Sequence, residues 1–353
     1  MREIVGTVID VLKKNGVVAC PTETVFGLIG RAFSEHAVNK IFEIKKREKL
    51  KTLPCFVKDV EMALTLLRDV SEYGEKLMRS FWPGPLTVVG YASLEAPRLC
   101  VSKDNKIGIR IPNEELLLEV LSLLNEPLAS TSANISGEPP FRDSLEVEDR
   151  FGKVVDFIVP GVSGDIPSTV VDITGENPLI LRKGSLSFIE IEKITGREVK
   201  FSPSENILVV FLCTGNTCRS PMAEAIFKKE LGVISNLKFA SRGIVQAEDS
   251  DIHPYAKEVL KEIGIFDFSH RPQILTGYEM EIADIIIAMT KEHLNWIPEK
   301  FRHKGRLMDP GASDIEDPIG GPITTYRFVR DKIRHFLESY WKGYFERKFE
   351  NRG

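Results

Sequence analysis

Residues 207–212, Ile-Leu-Val-Val-Phe-Leu, form an unbroken apolar run that ends in Cys213 and a polar loop, Thr214-Gly-Asn-Thr-Cys-Arg-Ser-Pro221. A strand apolar at every position cannot keep one face wet, so it belongs inside a parallel sheet covered on both sides. Such a sheet presents the last residue of its first strand at the edge where ligands bind. That residue is Cys213, and the helix pattern over 221–231 starts just behind it, with Pro221 suited to a first turn. Loop amides and a helix N-terminus together form an anion cradle. Gly215 and Asn216 tolerate the left-handed backbone that turns successive N–H groups inward. Arg219 adds a planar fork for two phosphate oxygens. The run therefore predicts a doubly wound unit with a phosphate-binding loop, beginning only after residue 200.

The residues before it already fill a domain. Strand patterns at 17–21, 53–57, 85–92, 106–111, 127–131, 156–161, 169–174 and 178–184 alternate with helical patterns at 35–46 and 60–81. The stretch 195–206 is polar, contains Gly and Pro, and has no periodicity, which marks a linker at 199–205. We therefore expect two α/β domains, 1–198 and 206–353: a twisted mixed sheet, then a doubly wound, flavodoxin-like parallel sheet. The second should continue with helices at 254–263, 278–283 and 322–346 and a strand at 284–289.

Of the 353 residues, 42% are apolar and 28% charged, with a net charge of −4. That balance suits soluble domains and gives no global field for nucleic acid or membrane. Five scattered cysteines argue for a reducing, cytoplasmic setting rather than a disulfide framework. The opening MREIVGTVIDVLKKNG reads as an amphipathic helix rather than a signal peptide, and no apolar run nears the ~20 residues of a membrane span. Cys20, Cys55 and Cys100 read as core residues. His253, His270, His293 and His303 are scattered and read as surface residues.

Cys-x5-Arg-Ser after an apolar strand, followed late in the chain by Asp317-Pro318, resembles the low-molecular-weight protein phosphatases. The resemblance spans roughly 206–350. It implies Cys213 as nucleophile, Arg219 and the amides of Thr214 to Cys218 as phosphate holders, Ser220 as partner of the sulfur, and Asp317 as general acid. It implies no metal or other cofactor for this half. Tyrosine-specific members carry isoleucine where Thr217 stands, whereas members acting on phosphoarginine carry threonine, so the resemblance favours a phosphoarginine protein substrate over phosphotyrosine. It also allows a protective Cys213–Cys218 disulfide.

The first half resembles the threonylcarbamoyl-adenylate synthases through Pro21-Thr-Glu-Thr-Val-Phe-Gly27, Lys45-Lys-Arg47, Phe81-Trp-Pro-Gly-Pro-Leu-Thr87, Ile107-Gly-Ile-Arg-Ile-Pro112, Ser130-Thr-Ser-Ala-Asn134, Ser168-Thr-Val-Val-Asp172 and Leu181-Arg182. The implied substrates are L-threonine, bicarbonate and ATP, the last with Mg2+ riding on its phosphates. Bicarbonate, the ATP phosphates and the threonine carboxylate are anionic, so cationic and hydroxyl-bearing residues are wanted. By resemblance Lys45, Arg47, Ser132, Asn134 and Arg182 fall at ATP positions, and Thr22, Arg110, Ser130 and Ser168 at threonine positions. The product would feed tRNA modification, an indirect link to tRNA and its modifying proteins. Rival readings are an RNA-binding module for the first half and a tyrosine phosphatase for the second.

Overall fold

The computed structural model describes residues 2–46, 52–135, 138–247 and 251–349. The chain divides into two units, Met1–Val199 and Lys200–Gly353. Within the stretch expected to be a linker, Lys200–Phe201 forms a two-residue strand and Phe201 is buried.

The first unit is built on a mixed sheet. Its strands run in the order Leu179–Arg182, Thr169–Asp172, Leu86–Ala92, Lys106–Arg110, Cys55–Phe56, Leu128–Ser132, Gly27–Arg31, Val18–Cys20, Phe157–Ile158. Three neighbouring pairs are parallel: Leu86–Ala92 with Thr169–Asp172, Cys55–Phe56 with Lys106–Arg110, and Val18–Cys20 with Phe157–Ile158. Gly27–Arg31 lacks a strand signature, because its two glycines lower β propensity. The amphipathic N-terminus is the helix Arg2–Lys13, with Val5, Val8 and Leu12 on its buried stripe. These join Leu116, Leu117, Val120 and Leu121 of the helix Glu115–Leu124 in one core.

The continuous helix expected over 60–81 is two helices, Val60–Leu66 and Glu72–Phe81. Leu67 and Arg68 leave the helix to pair with Ala92 and Tyr91. Asp69 then adopts a left-handed φ of 54°, and Ser71 caps the second helix by accepting from the Gly74 amide at 3.2 Å. Apolar periodicity persists across the break because both helices cover the same sheet, so the pattern alone does not reveal it.

The second unit has four parallel strands in the order Leu237–Gly243, Ile207–Cys213, Ile285–Ala288, Gly305–Leu307. This is the doubly wound order, with its reversal beside Ile207–Cys213. The central position explains the apolar run: Val209, Phe211 and Leu212 have no exposed surface. Phe211 packs edge-on against Phe227 of the helix Arg219–Leu231, ring centroids 4.7 Å apart. The long C-terminal helical pattern is Ile323–Phe336, a π-helical turn over Leu337–Trp341, and Lys342–Phe349. Cys20, Cys55 and Cys100 are buried as expected.

Candidate active sites

In the second unit, Cys213 ends its strand and is 2% exposed. Its Sγ lies 2.9 Å from Ser220 Oγ, which also accepts from Asn216 Nδ2 at 2.9 Å. Asn216 takes the left-handed conformation, φ 57°. Gly215 does not, and a methyl added there would make ordinary 3.7 Å contact with Ala247. The left-handed expectation therefore holds for Asn216 alone. Asn216 is fixed from outside by the Gln273 amide, which donates to its Oδ1 at 2.9 Å.

Arg219 is buried yet charged, so its donors need acceptors. Nη1 donates to the Ile315 carbonyl at 3.2 Å, and Nη2 to Thr214 Oγ1 at 3.2 Å and to the Asp317 carboxylate. Asp317 is half-exposed and receives the Ile319 amide at 3.2 Å. Cys213, its loop, the Arg219 guanidinium and a distant carboxylate thus converge although 98 residues separate Arg219 from Asp317. Thr217 is buried, and its hydroxyl lies 3.7 Å from Cys218 Sγ. Burial pushes the Cys218 thiol up to about 11, and Sγ lies 3.8 Å from Tyr326 Oη.

His293 departs from its surface reading, and the partly exposed His253 and His270 also touch the loop. His293 is 2% exposed, with Nε2 3.0 Å from Thr214 Oγ1. His270 Nε2 lies 2.7 Å from the Asn216 carbonyl, and the His253 amide donates to the Thr217 carbonyl at 2.9 Å. Scattered in sequence, they reach the same loop from two connections: His253 and His270 lie between Leu237–Gly243 and Ile285–Ala288, and His293 follows Ile285–Ala288. Gly243 is a further residue that no motif singles out. A Cβ there would lie 2.7 Å from the Thr214 carbonyl oxygen and 3.1 Å from the Asn216 nitrogen. Only glycine lets the neighbouring strand approach the loop this closely.

In the first unit, Thr22, Arg110, Ser130, Ser132, Asn134, Ser168 and Arg182 line one cavity of about 750 Å3. Arg47 lies outside the described residues. Lys45 is 2% exposed and donates to the Ser132 carbonyl at 2.7 Å and to the side chain of Asn134. Its ammonium thus holds the turn that carries two candidate ATP residues. Arg182 Nη2 donates to Ser168, at 2.8 Å to the carbonyl and 3.0 Å to Oγ. Thr87 Oγ1 lies 2.8 Å from Ser168 Oγ and belongs to the same cluster.

Arg110 has a counter-ion that motif reading passes over. Its Nη2 lies 2.7 Å from Glu23 Oε1, Nη1 donates to Thr24 Oγ1 at 2.9 Å, and Nε donates to the Gly84 carbonyl at 3.0 Å. Lys106 is a further cation on the cavity wall, paired with Asp172 at 2.7 Å. Glu23, Thr24 and Thr87 sit inside motifs quoted for their neighbours, and Lys106 immediately precedes one. Their motif context was the available signal.

Among the described residues, no group of three or more His, Cys, Asp or Glu is placed to hold a metal ion. No helix among them is long and apolar enough to cross a membrane.

Both units resemble known proteins. Residues 10–184 match the Sua5/YciO/YrdC family model, described as telomere recombination. Residues 208–348 match the low molecular weight phosphotyrosine protein phosphatase model. A threonylcarbamoyl-AMP synthase of Pyrococcus abyssi is 37% identical over 195 residues, covering 55% of this chain and 57% of its own length. The chain therefore spans little more than half of that relative. A threonylcarbamoyl-AMP synthase of Klebsiella pneumoniae is 36% identical over 179 residues, covering 49% of this chain and 94% of its own. The solved YwlE arginine phosphatase from Geobacillus stearothermophilus is 33% identical, covering 41% of this chain and 99% of its own, with a TM-score of 0.37. Through its first unit the chain belongs to the Sua5/YciO/YrdC family, which includes threonylcarbamoyl-AMP synthases, and its second unit is a low molecular weight phosphotyrosine protein phosphatase domain.

Proposed function

We propose that the chain is a bifunctional enzyme. The first unit makes threonylcarbamoyl-AMP from L-threonine, bicarbonate and ATP, supplying the activated group for tRNA modification. The second hydrolyses protein phosphoarginine through a phosphocysteine. The synthase reading is carried by one cavity that gathers seven of the nine candidate substrate residues from separate motifs.

In the synthase reaction, the threonine nitrogen gains the bicarbonate carbon with loss of water. An oxygen of the resulting carbamate then takes AMP from ATP, releasing pyrophosphate. Arg182, Ser168 and Thr87 form one hydrogen-bonded wall for these anions, while Lys45 keeps Ser132 and Asn134 in place. Asp104 and Asp165 also line the cavity, but Asp165 is paired with Arg142 at 3.0 Å and no metal-holding cluster stands among the described residues, so a Mg2+ would be carried by the nucleotide phosphates. When bound, the metal would neutralise phosphate charge. Pyrophosphate release that requires threonine and bicarbonate tests the reading, and release independent of both overturns it.

The phosphatase reading is carried by the Cys213–Ser220 contact at the mouth of the loop, with Arg219 and Asp317 beside it. Cys213 Sγ bonds to phosphorus as the P–N bond to the substrate arginine breaks, and Asp317 gives its proton to the leaving nitrogen. Water, deprotonated by Asp317, then displaces the sulfur and releases phosphate. Ser220 donates to the departing thiolate, while Arg219 and the loop amides hold the oxygens. Support for phosphoarginine comes from Thr217 in the loop, where tyrosine-type members carry isoleucine. Comparing phosphoarginine with phosphotyrosine peptides in wild type and Thr217→Ile tests this choice. Arginine preference that survives the isoleucine removes Thr217 as its cause.

A further inference from the structure

The hydrolysis steps above make no use of histidine, yet His293 is tied into the phosphate site through both ring nitrogens. Nδ1 lies 2.8 Å from Thr290 Oγ1 and Nε2 lies 3.0 Å from Thr214 Oγ1. The two ring contacts admit either neutral tautomer, and the donors around Thr214 favour one for the phosphate site. Arg219 Nη2 donates to Thr214 Oγ1 at 3.2 Å, so that oxygen acts as an acceptor on one side. Its own proton needs an acceptor, and the atom facing it is Nε2. A bare Nε2 takes that proton and leaves the ring proton on Nδ1 toward Thr290 Oγ1, whereas the opposite tautomer would make Nε2 a second donor to Thr214 Oγ1. That hydroxyl also accepts the His293 amide at 3.3 Å as the cap of the helix Lys291–Trp296. The ring stays neutral at ordinary pH. Burial, then the charge of Arg219, hold it down to about 4 against the opposing pull of Asp317 and Asp314.

We propose that His293 is a positioning residue of the phosphate site, fixing the Thr214 hydroxyl as an acceptor so that Arg219 is held to clasp phosphate. The need for such a device follows from the other acceptors of Arg219. Asp317 must leave the guanidinium to serve the leaving nitrogen, and among the described residues Thr214 Oγ1 and the Ile315 carbonyl then hold it. A Thr214 hydroxyl without Nε2 is free to rotate its proton toward the guanidinium and repel it. The inference rests on the phosphatase reading for its catalytic meaning, but not for its geometry.

The test measures para-nitrophenyl phosphate hydrolysis and inorganic phosphate affinity in wild type, His293→Ala, His293→Gln, Thr214→Val and the His293→Ala/Thr214→Val double variant. His293→Ala should lose about 10- to 100-fold in kcat/KM, the scale on which small misplacements act, and should weaken phosphate binding. Glutamine, whose amide oxygen can replace Nε2 as acceptor, should recover most of the loss. In the Thr214→Val background the histidine change should add little. Equal losses in both backgrounds, or an alanine variant as active as wild type, overturn the proposal. Nitrogen NMR of wild type decides the matter should the alanine variant fail to fold. A bare Nε2 is expected, and a protonated Nε2 at neutral pH overturns it. Wild type that binds phosphate but turns nothing over instead defeats the phosphatase reading, while the NMR and phosphate affinities still judge His293.

Discussion

Gly243→Ala should damage the phosphate loop from outside it. The added Cβ would stand 2.7 Å from the Thr214 carbonyl oxygen and 3.1 Å from both the Asn216 nitrogen and the Gly215 carbonyl carbon. Ordinary contact begins near 3.4 Å, so 3.4 − 2.7 leaves an overlap of 0.7 Å against backbone that cannot rotate away. Either the strand or the loop must move by most of that distance. Overpacking of this kind costs about 1–3 kcal/mol. A loop displaced by nearly 1 Å costs on the order of 100-fold in rate. The assay is para-nitrophenyl phosphate turnover together with thermal unfolding of the second unit. Gly277→Ala serves as control, because nothing lies within 4 Å of its added Cβ. Turnover in Gly243→Ala equal to that control would refute the steric argument and the loop geometry behind it.

Four further outcomes follow from the same structure. Gly184→Ala puts a Cβ 2.2 Å from the Pro167 carbonyl oxygen and 2.4 Å from the Ser168 carbonyl carbon. It should depress threonine-dependent pyrophosphate release about 100-fold while sparing the phosphatase, and unchanged release would contradict the role of Ser168. Lys45→Met keeps the length but strands buried acceptors on Ser132 and Asn134. It should cost the first unit about 2–3 kcal/mol, measured by urea unfolding. Alkylation at pH 7 read by peptide mass spectrometry should leave Cys218 unmodified, because burial pushes its thiol up to about 11; ready modification would contradict that. Hydrogen bonding from Arg327, opposed by desolvation and aided by Arg330, lowers the Glu262 carboxyl to about 2. Because the folded value is depressed below the ordinary 4.5, its contribution is complete above 4.5 and fades as pH falls toward 2. Glu262→Gln should flatten the acid limb of stability in that window, and an unchanged limb would show that other groups control it.

The two units differ in how much of each could be read from residue order. The strand Ile207–Cys213, its loop and the following helix are legible because one local pattern, apolar run to glycine loop to helix, specifies all three. The adjacent strand Leu237–Gly243 is not, since Lys238 and Arg242 interrupt its apolar residues and only pairing with Ile207–Cys213 makes it a strand. The break at 67–71 is hidden for a related reason, because pairing with Ala92 and Tyr91 overrides helical periodicity. Candidate residues inside long motifs converge on the cavity. Glu23 as counter-ion of Arg110, Lys106 on the wall, and the three histidines around the loop are long-range arrangements. Charge pairs and buried hydroxyl networks leave no local spacing by which to find them.

The proposed function places two independent chemistries on one chain. One paired measurement tests it: threonine- and bicarbonate-dependent pyrophosphate release and phosphoarginine hydrolysis, in wild type, Cys213→Ser and Arg182→Ala. Cys213→Ser should lose hydrolysis and keep release, and Arg182→Ala should do the reverse. Hydrolysis that persists without the Cys213 thiol, or release unaffected by loss of Arg182, would contradict the assignment.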